Sequence, residues 1–300
     1  MGVALLVGVT AGAAWGAGGV ARAQGEPRRG ADDPVDPLVE PGPAEGGGAP
    51  DDAALRRETA RLAVALAAKR GTLPAERLVL DLTLAEAGRP LDRGRRLEVG
   101  LRRPADRPGR EDVRVRALEP AAQRDEAWLW LGGPAGGEAW RFAPRRRASE
   151  RTGLPDRGWR LGGTGLLLVD LRAERLGDHD YVLEARDAAR GERRVHVVLA
   201  TPRADAPGAH AGRRRLWLDA EARVVVAVDH LDAGGAPARS VELGDFRWVA
   251  GALVPFRWRI AEPGPIEPED APLRAGRRTL VVARERGPDP PARWFEPAGM

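Results

Sequence analysis

Apolar and polar residues alternate in short runs along most of this chain, and the alternation is clearest between positions 213 and 260. Four runs rich in Val, Leu, Trp and Phe lie there, at 216–219, 224–228, 241–249 and 253–260. Turn residues separate them. Strands joined by such short loops pair antiparallel, because a parallel crossover needs a dozen or more residues. The pattern therefore predicts a continuous antiparallel sheet.

The same period of two extends upstream. Leu78, Leu80, Leu82 and Leu84 alternate with other residues, and a second alternating run follows the turn at 88–90. One face of these strands is expected to be apolar and the other wet. Further strands are predicted at 97–101, 113–117, 128–131, 140–142, 181–185, 195–199 and 279–283. The total is about 10 or 11 strands, and a sheet of that size must curl or close.

One helix is predicted before the strands. Asp51 and Asp52 supply the N-cap and first-turn acids, and Gly71 ends the helix. An apolar stripe recurs at helical spacing within it, formed by Leu55, Thr59, Leu62 and Leu66. Such a stripe should lie on an apolar surface. Packing on the sheet is favoured over a movable lid above a cavity.

Two segments break the alternation. Residues 144–165 are rich in Arg and Gly and are expected to form a long loop, in which the Arg145–Arg147 run is solvated rather than an anion site. The glycines at 162, 163 and 165 follow no strand, so they support a phosphate cradle only weakly. Residues 166–171 are apolar and predict either a helix or a buried strand.

The first fifty residues differ from the rest. Positions 3–20 are small and apolar and end in Ala21-Arg22-Ala23, so residues 1–23 are interpreted as a secretory signal peptide. Residues 24–50 consist largely of Gly, Pro, Asp and Glu and predict a disordered leader. No linker interrupts the remainder, which is interpreted as a single domain, 51–300.

Charge and cysteine content exclude several classes of function. The 48 cations are opposed by 44 anions, and the arginines are scattered rather than gathered on one face, so no nucleic-acid partner is expected. The chain has no cysteine. Disulfides, thiolate nucleophiles and Cys-ligated metals are therefore excluded, as is a lipid-modified cysteine after the signal.

Candidate catalytic residues are few. The only serines are Ser149 and Ser240, and neither lies in a nucleophile elbow. His179 and His230 each have Asp neighbours and could act as a base or a ligand, but the spacing of metal-binding motifs is missing. A surface or turn position is the favoured interpretation for all four histidines, which are His179, His196, His210 and His230. No catalytic residue, metal or cofactor is predicted.

Several segments, in order and spacing, resemble the outer-membrane lipoprotein-sorting proteins, which are relatives of the LolA and LolB lipoprotein carriers. The segments are 128–131 (WLWL), 163–171 (GTGLLLVDL), 181–185 (YVLEA), 215–219 (RLWLD), 241–247 (VELGDFR), 253–255 (LVP) and 294–297 (WFEP). The resemblance implies an incomplete antiparallel β-barrel whose concave face is covered by the N-terminal helix and a short segment. It also implies a periplasmic location and non-catalytic transfer of lipoproteins or lipids.

Moving an acyl chain of about sixteen carbons out of water is worth on the order of 12 kcal/mol. A lipidated molecule therefore crosses an aqueous compartment only inside an apolar slot. The partners expected are lipoprotein acyl chains or lipids, an inner-membrane transporter or an outer-membrane receptor, and the carrier itself is expected to be a monomer. The residues predicted to line the cavity are Leu80, Leu82, Leu97, Val99, Trp128, Trp130, Phe142, Tyr181, Leu183, Leu216 and Leu218.

Two other classes of function stay open. The first is a periplasmic interaction or scaffold partner of a membrane lipid exporter, in which the cavity is only a filled core. The second is a hydrolase that uses His179 or His230 with a neighbouring Asp.

Overall fold

The structure is a computed structural model. It describes residues 50–86, 89–90, 94–106, 110–133, 136–153, 160–161, 164–172, 174–206, 212–262, 277–288 and 290–297. The predicted signal peptide, nearly all of the predicted leader and His210 lie outside these ranges. The described residues belong to one compact unit.

One α-helix and fourteen β-strands form the regular structure of the described residues. Helix α1 spans Pro50–Gly71, as predicted from its caps. The strands are β1 (Ala75–Glu86), β2 (Arg89–Pro90), β3 (Arg95–Arg102), β4 (Asp112–Glu119), β5 (Ala127–Gly133), β6 (Gly136–Ala143), β7 (Ala148–Thr152), β8 (His179–Arg190), β9 (Arg193–Pro202), β10 (Arg214–Asp219), β11 (Val225–Leu231), β12 (Pro237–Val249), β13 (Ala252–Glu262) and β14 (Arg277–Gly287). Short 3-10 helices lie at Ala121–Gln123, Leu168–Leu171 and Ala292–Phe295.

The strands form one antiparallel sheet in the order β7-β6-β5-β4-β3-β1-β14-β13-β12-β11-β10-β9-β8, with β2 paired to β1. The first long strand and the last strand pair with each other, so β1 and β14 join two meanders near the middle of the sheet. Among the described residues, strands β7 and β8 end the order and do not pair with each other. The sheet is therefore not closed, and the predicted incomplete barrel with an N-terminal helix is confirmed.

Two strands were not expected from the sequence, namely β2, which lies in the predicted turn at 88–90, and β7. The prediction of a long loop over 144–165 is wrong at Ala148–Thr152, which pairs with β6 as strand β7. All five of its side chains are exposed, so the segment has no apolar period that could mark it as a strand. The neighbouring Arg145–Arg147 run is solvent-exposed, as predicted.

One face of the sheet, called here the inner face, carries a nearly continuous apolar surface. Directly opposed residues of antiparallel strands point to the same side. The register therefore places Val115, Val99 and Leu78 in one row. Other rows run through Trp258, Val281 and Leu82, and through Leu183, Val198 and Leu216. The side chains named in these rows are buried. Trp128 and Trp130, at the β5 end of the inner face, are partly buried.

The opposite face, called here the outer face, was expected to be solvent-exposed. Over β3 and β4 that expectation is wrong. Glu98, Asp112 and Arg114 are buried there. The C-terminal 3-10 helix Ala292–Phe295 covers them, with the Trp294 ring 4.9 Å from the Arg114 guanidinium. A Cβ on Gly100 would come within 2.9 Å of that ring, so this close packing requires glycine. Glu98 is neutralised by Arg116 at 2.8 Å.

The predicted apolar stripe of α1 does not face the sheet. Leu55, Leu62 and Leu66 are 56%, 60% and 38% exposed, whereas the side buried on the sheet is made by Ala60, Val64 and Ala67. The helix lies across β8, β10 and β13. Small side chains let the helix backbone approach the strands closely, and the larger leucines are left on the outside. Among the described residues, no helix combines the length and the apolar content that crossing a bilayer requires.

The reversed orientation of α1 can be tested by unfolding. Val64→Asp places an unpaired carboxylate in the buried interface and should lower the free energy of unfolding by at least about 3 kcal/mol. Leu62→Asp changes an exposed position and should cost less than about 0.5 kcal/mol. Urea denaturation followed by circular dichroism would measure both. The reverse ranking would mean that the leucine stripe is the packed side.

Candidate functional site

Two pieces of the chain cover the inner face. One is α1, and the other is the segment 160–172, called here the strap, of which residues 160–161 and 164–172 are described. Leu161, Leu166 and Leu171 of the strap are buried in the main core cluster with the side chains of β1, β3 and β13. The strap is the apolar segment predicted as a helix or strand, and its Leu168–Leu171 part is a 3-10 helix.

Buried charges fasten the strap to β12 and its neighbours. The guanidinium of Arg239 forms an ion pair with Asp170, and both side chains are buried. Arg239 also donates to the carbonyl oxygen of Gly165 at 2.9 Å. Arg160 donates to both carboxylate oxygens of Glu262 at 2.7 and 2.8 Å. Bidentate and charge-assisted bonds of this kind are the strong ones, so this end of the strap is firmly held.

The other end of the strap reaches β4 and β5. Arg172 Nε donates to Glu111 Oε2 at 2.5 Å, and the Arg172 guanidinium lies 4.4 Å from the centre of the Trp130 ring. Glu111 is itself buried and also pairs with Arg103 at 2.8 Å. The strap therefore crosses the inner face and is anchored at both ends.

A second polar cluster follows the strap. Glu174 accepts from Arg214 at 2.9 Å and from the hydroxyl of Tyr181 at 2.7 Å. His179 lies 3.4 Å from Glu174, and its ring is buried. His230 is buried too, 3.8 Å from Asp170. The interpretation of these two histidines as surface or turn residues is wrong, because both rings are buried, His179 beside Glu174 and Arg214 and His230 beside Asp170 of the strap.

The sequence contains little evidence that these charged residues are buried. Asp170 interrupts an apolar run and Arg239 opens an apolar strand, and a charge in such a place is the only signal available. Lys, Glu, Arg and Asp are almost never fully buried unless they are paired. The partners of Asp170 and Glu174 are 69 and 40 residues away along the chain, so the pairing itself could not be inferred.

Ten of the eleven predicted cavity-lining residues lie on the inner face, in two groups, and Phe142 does not. Leu80, Leu82, Leu97 and Val99 lie in the main core under the strap, and Trp128 and Trp130 pack against its edge. Tyr181, Leu183, Leu216 and Leu218 lie under α1 with Ala60, Val64 and Ala67. Phe142 pairs with Ala127 and therefore points to the outer face, away from the two tryptophans.

A groove of about 230 Å³ opens on the β4–β7 side of the sheet. Val113, Val115, Trp128, Trp130 and Ala139 give it an apolar lining, and Arg141 and Thr152 add polar groups. The Nε1 atom of Trp130 and the Nε atom of Arg141 are buried and have no hydrogen-bond partner among the described residues. Buried donors of this kind usually have an acceptor.

The other chemically interesting residues have structural contacts. The Ser240 hydroxyl donates to Asp229 at 2.7 Å, and Ser149 lies on the exposed edge strand with its hydroxyl bonded to the carbonyl of Pro297. His196 lies within β9 and accepts from the backbone of Asp187 at 3.4 Å. Within the described ranges, no three His, Asp or Glu side chains are grouped as a metal ion would need.

Tyr181 is the single tyrosine of the chain, so its ionisation is a probe of the polar cluster that it forms with Glu174 and Arg214. Burial, reinforced by the negative charge of Glu174, raises the pKa of Tyr181 far above its usual value of 10. The unfolded chain loses this proton first, so the free energy of unfolding should fall as the pH rises above 10. Tyrosinate absorbance should appear only together with the loss of circular dichroism.

Tyr181→Phe is the matched control for that titration. It should abolish the tyrosinate signal and weaken the pH dependence above 10, at a cost of about 1 kcal/mol for the lost hydrogen bond. Ionisation near pH 10 with the circular dichroism unchanged would contradict the buried position of the phenol.

Comparison with solved structures finds this fold in other proteins. A DUF1329 family protein from Desulfovibrio piger has a TM-score of 0.66 and 13% identity over 80% of this chain and 97% of its own. An outer membrane lipoprotein-sorting protein domain from Vibrio parahaemolyticus has a TM-score of 0.62 and 12% identity over 77% and 92%. A LolA superfamily protein from Nitrosomonas europaea has a TM-score of 0.58 and 17% identity over 79% and 96%.

No curated protein is significantly similar to the sequence. A protein-family model described as "Uncharacterized protein" matches residues 109–292, which is more than half of the chain. The likeness to the solved structures, at these identities, shows the fold, and it confirms the family resemblance seen in the sequence. The chain therefore belongs to the family that this model describes, and it shares the fold of the three solved structures.

Proposed function

We propose that this protein is a periplasmic carrier that binds acyl chains of lipoproteins or lipids on its inner face and transfers them without catalysis. The observation that carries the proposal is the groove beside Trp130, where an apolar surface holds buried donors that lack a partner among the described residues. An acyl chain with an ester or carboxyl oxygen supplies both an apolar body and an acceptor. The solved lipoprotein-sorting domain of the same fold supports this choice of ligand.

The groove accounts for only part of such a ligand. Its volume of about 230 Å³ is below the roughly 300–1,000 Å³ of ordinary ligand sites. The apolar surface continues from the groove along the inner face, past Leu80, Leu97 and Val99 under the strap, to Tyr181, Leu183 and Leu216 under α1. A whole acyl chain therefore enters only when one of the two covers moves away.

Helix α1 is the cover that moves in this proposal. Ala60, Val64 and Ala67 bring only about five side-chain carbons to the interface, worth roughly 4 kcal/mol at ~0.8 kcal/mol per carbon. An acyl chain that takes their place gains on the order of 12 kcal/mol. The strap stays in place, because removing one partner of a buried ion pair such as Arg239–Asp170 costs about 3–5 kcal/mol.

In the carrier, an acyl chain of the cargo would lie in the place of α1, and a polar oxygen of the cargo would lie near the tryptophan and arginine of the groove. Trp130 Nε1–H and Arg141 Nε–H can each donate one hydrogen bond, and the neighbouring Arg172 and Arg141 favour a negatively charged or strongly polar acceptor. Handover would then take place to a membrane protein, either an inner-membrane transporter or an outer-membrane receptor. The signal peptide interpreted at residues 1–23 would deliver the protein to the periplasm.

The experiment is a ligand search followed by a binding comparison. Native mass spectrometry of the protein purified from periplasm should show a co-purifying lipid or fatty acid. Displacement of a dansyl fatty acid then gives relative affinities. Trp130→Phe keeps the ring but removes the N–H donor, so it should weaken binding by about three- to tenfold. Trp130→Ala should weaken it further.

Phe142→Ala is the matched control, because it removes an aromatic ring from the same hairpin on the outer face. Its affinity for the probe should stay within about twofold of the wild type. An equal loss of probe affinity in the Trp130 and Phe142 variants would mean that both substitutions act by destabilising the β5–β6 hairpin. Absence of any bound lipid or probe would exclude the carrier.

A scaffold partner of a lipid exporter is the second function. The observation that favours it is the filled inner face, where Leu80, Leu97 and Leu216 are almost fully buried by other side chains of the protein. A scaffold needs no exchange of α1 for an acyl chain. Recovery of one envelope complex in a pull-down, with no lipid and no probe binding, would support the scaffold over the carrier.

A further inference from the structure

The outward side of α1 is an apolar ridge. Leu55, Leu62 and Leu66 are seven and four residues apart, so they lie on one side of the helix. They are 56%, 60% and 38% exposed, on the side opposite to the residues that pack on the sheet. Single exposed leucines need no explanation, but three in one row on a helix form a surface.

Cations and a tryptophan extend this ridge at its C-terminal end. Lys69 and Arg70 lie in the last turn of α1, Lys69 seven residues after Leu62 and Arg70 four residues after Leu66. The Arg70 guanidinium lies 5.0 Å from the centre of the Trp248 ring, and Trp248 is 60% exposed. The surface formed by Leu62, Leu66, Lys69, Arg70 and Trp248 is called here the docking ridge.

We propose that the docking ridge binds the surface of an anionic lipid bilayer. Leucines can enter the interfacial region of a bilayer, cations are attracted to anionic headgroups, and tryptophan favours the membrane interface. The ridge combines all three, with the leucines and cations supplied by α1 and the tryptophan by β12. A second copy of this chain fits it less well, since a symmetric contact would bring the same cations from both helices together.

The proposal does not rest on the carrier function. Docking is measured on vesicles without any transfer of an acyl chain, so its failure and the failure of lipid binding in the groove are separate results. The ridge and the groove also share no residue, since the groove is formed by β4 to β7.

The test is flotation of the purified mature chain with vesicles. Vesicles of phosphatidylglycerol and phosphatidylethanolamine should carry the protein to the top of a density gradient, and vesicles of phosphatidylcholine should not. Binding should weaken as salt is added, because salt screens the cations. Equal binding to both kinds of vesicle would overturn the electrostatic part of the proposal.

Two variants divide the ridge into its apolar and charged parts. Leu62→Ser/Leu66→Ser should weaken vesicle binding by about tenfold or more, because both apolar anchors are lost. Lys69→Gln/Arg70→Gln should weaken it by about 25-fold, at about fivefold for each cation removed near an anionic surface. Both variants should stay folded at the temperature of the assay, since Leu62, Leu66 and Lys69 face away from the sheet and Arg70 loses only its contact with Trp248.

The control variant is Val182→Ser/Leu280→Ser, which removes two apolar side chains of similar exposure, 38% and 39%, on β8 and β14. Its vesicle binding should equal that of the wild type. If the leucine variant also bound like the wild type, the proposal would be wrong. It would be wrong as well if the wild type formed a dimer that the leucine variant lost, while neither bound vesicles.

Discussion

The apolar inner face of the sheet has to be kept from water, and this constraint governs the rest of the structure. The face runs from Trp130 on β5, through the central β1–β14 pair, to Leu183 on β8. An open sheet cannot cover such a surface by closing on itself. The chain covers it with two pieces of different chemistry. Helix α1 provides small apolar side chains, and the strap provides leucines together with buried charges.

The chemistry of the strap follows from where it lies. A segment with little regular structure brings unpaired backbone groups into an apolar place, and each of them needs a partner. Arg239 and Thr279 provide partners for the backbone of Gly165, and Asp170 neutralises Arg239 in turn. Once assembled, this network is difficult to open one partner at a time, because any single break leaves a buried charge unpaired. Helix α1 satisfies its own backbone and needs no such anchors.

The sequence predicted the strands because a period of two reflects one buried face, and here nearly every strand has one. The same reasoning failed where burial does not follow hydrophobicity. In α1, the close approach of the helix to the sheet favours Ala and Val at the buried positions. The larger Leu55, Leu62 and Leu66 are exposed, so their stripe predicted the wrong side of the helix to be buried. Strand β7 is wholly exposed and has no apolar period. His179 and His230 are buried beside Glu174 and Asp170, and the ion pairs of these two carboxylates, Arg214–Glu174 and Arg239–Asp170, join distant parts of the chain. Most of the candidate site, except Phe142, could therefore be assigned to one face, but the two covers and the polar cluster could not.

The difference in side-chain size between the two sides of α1 explains how a ligand could reach an apolar face that the helix covers. A helix bound through large leucines would lose most of its apolar contact on leaving the sheet, and no ligand could exchange with it easily. Here the inward contact is small, because Ala60, Val64 and Ala67 are small, and the large leucines already face outward. In the proposed docked state those leucines would gain a lipid environment while the helix gave up little on the sheet side. Release of the cover would then be favoured at a membrane, where a cargo is collected or delivered, and opposed in water, where the inner face must stay closed.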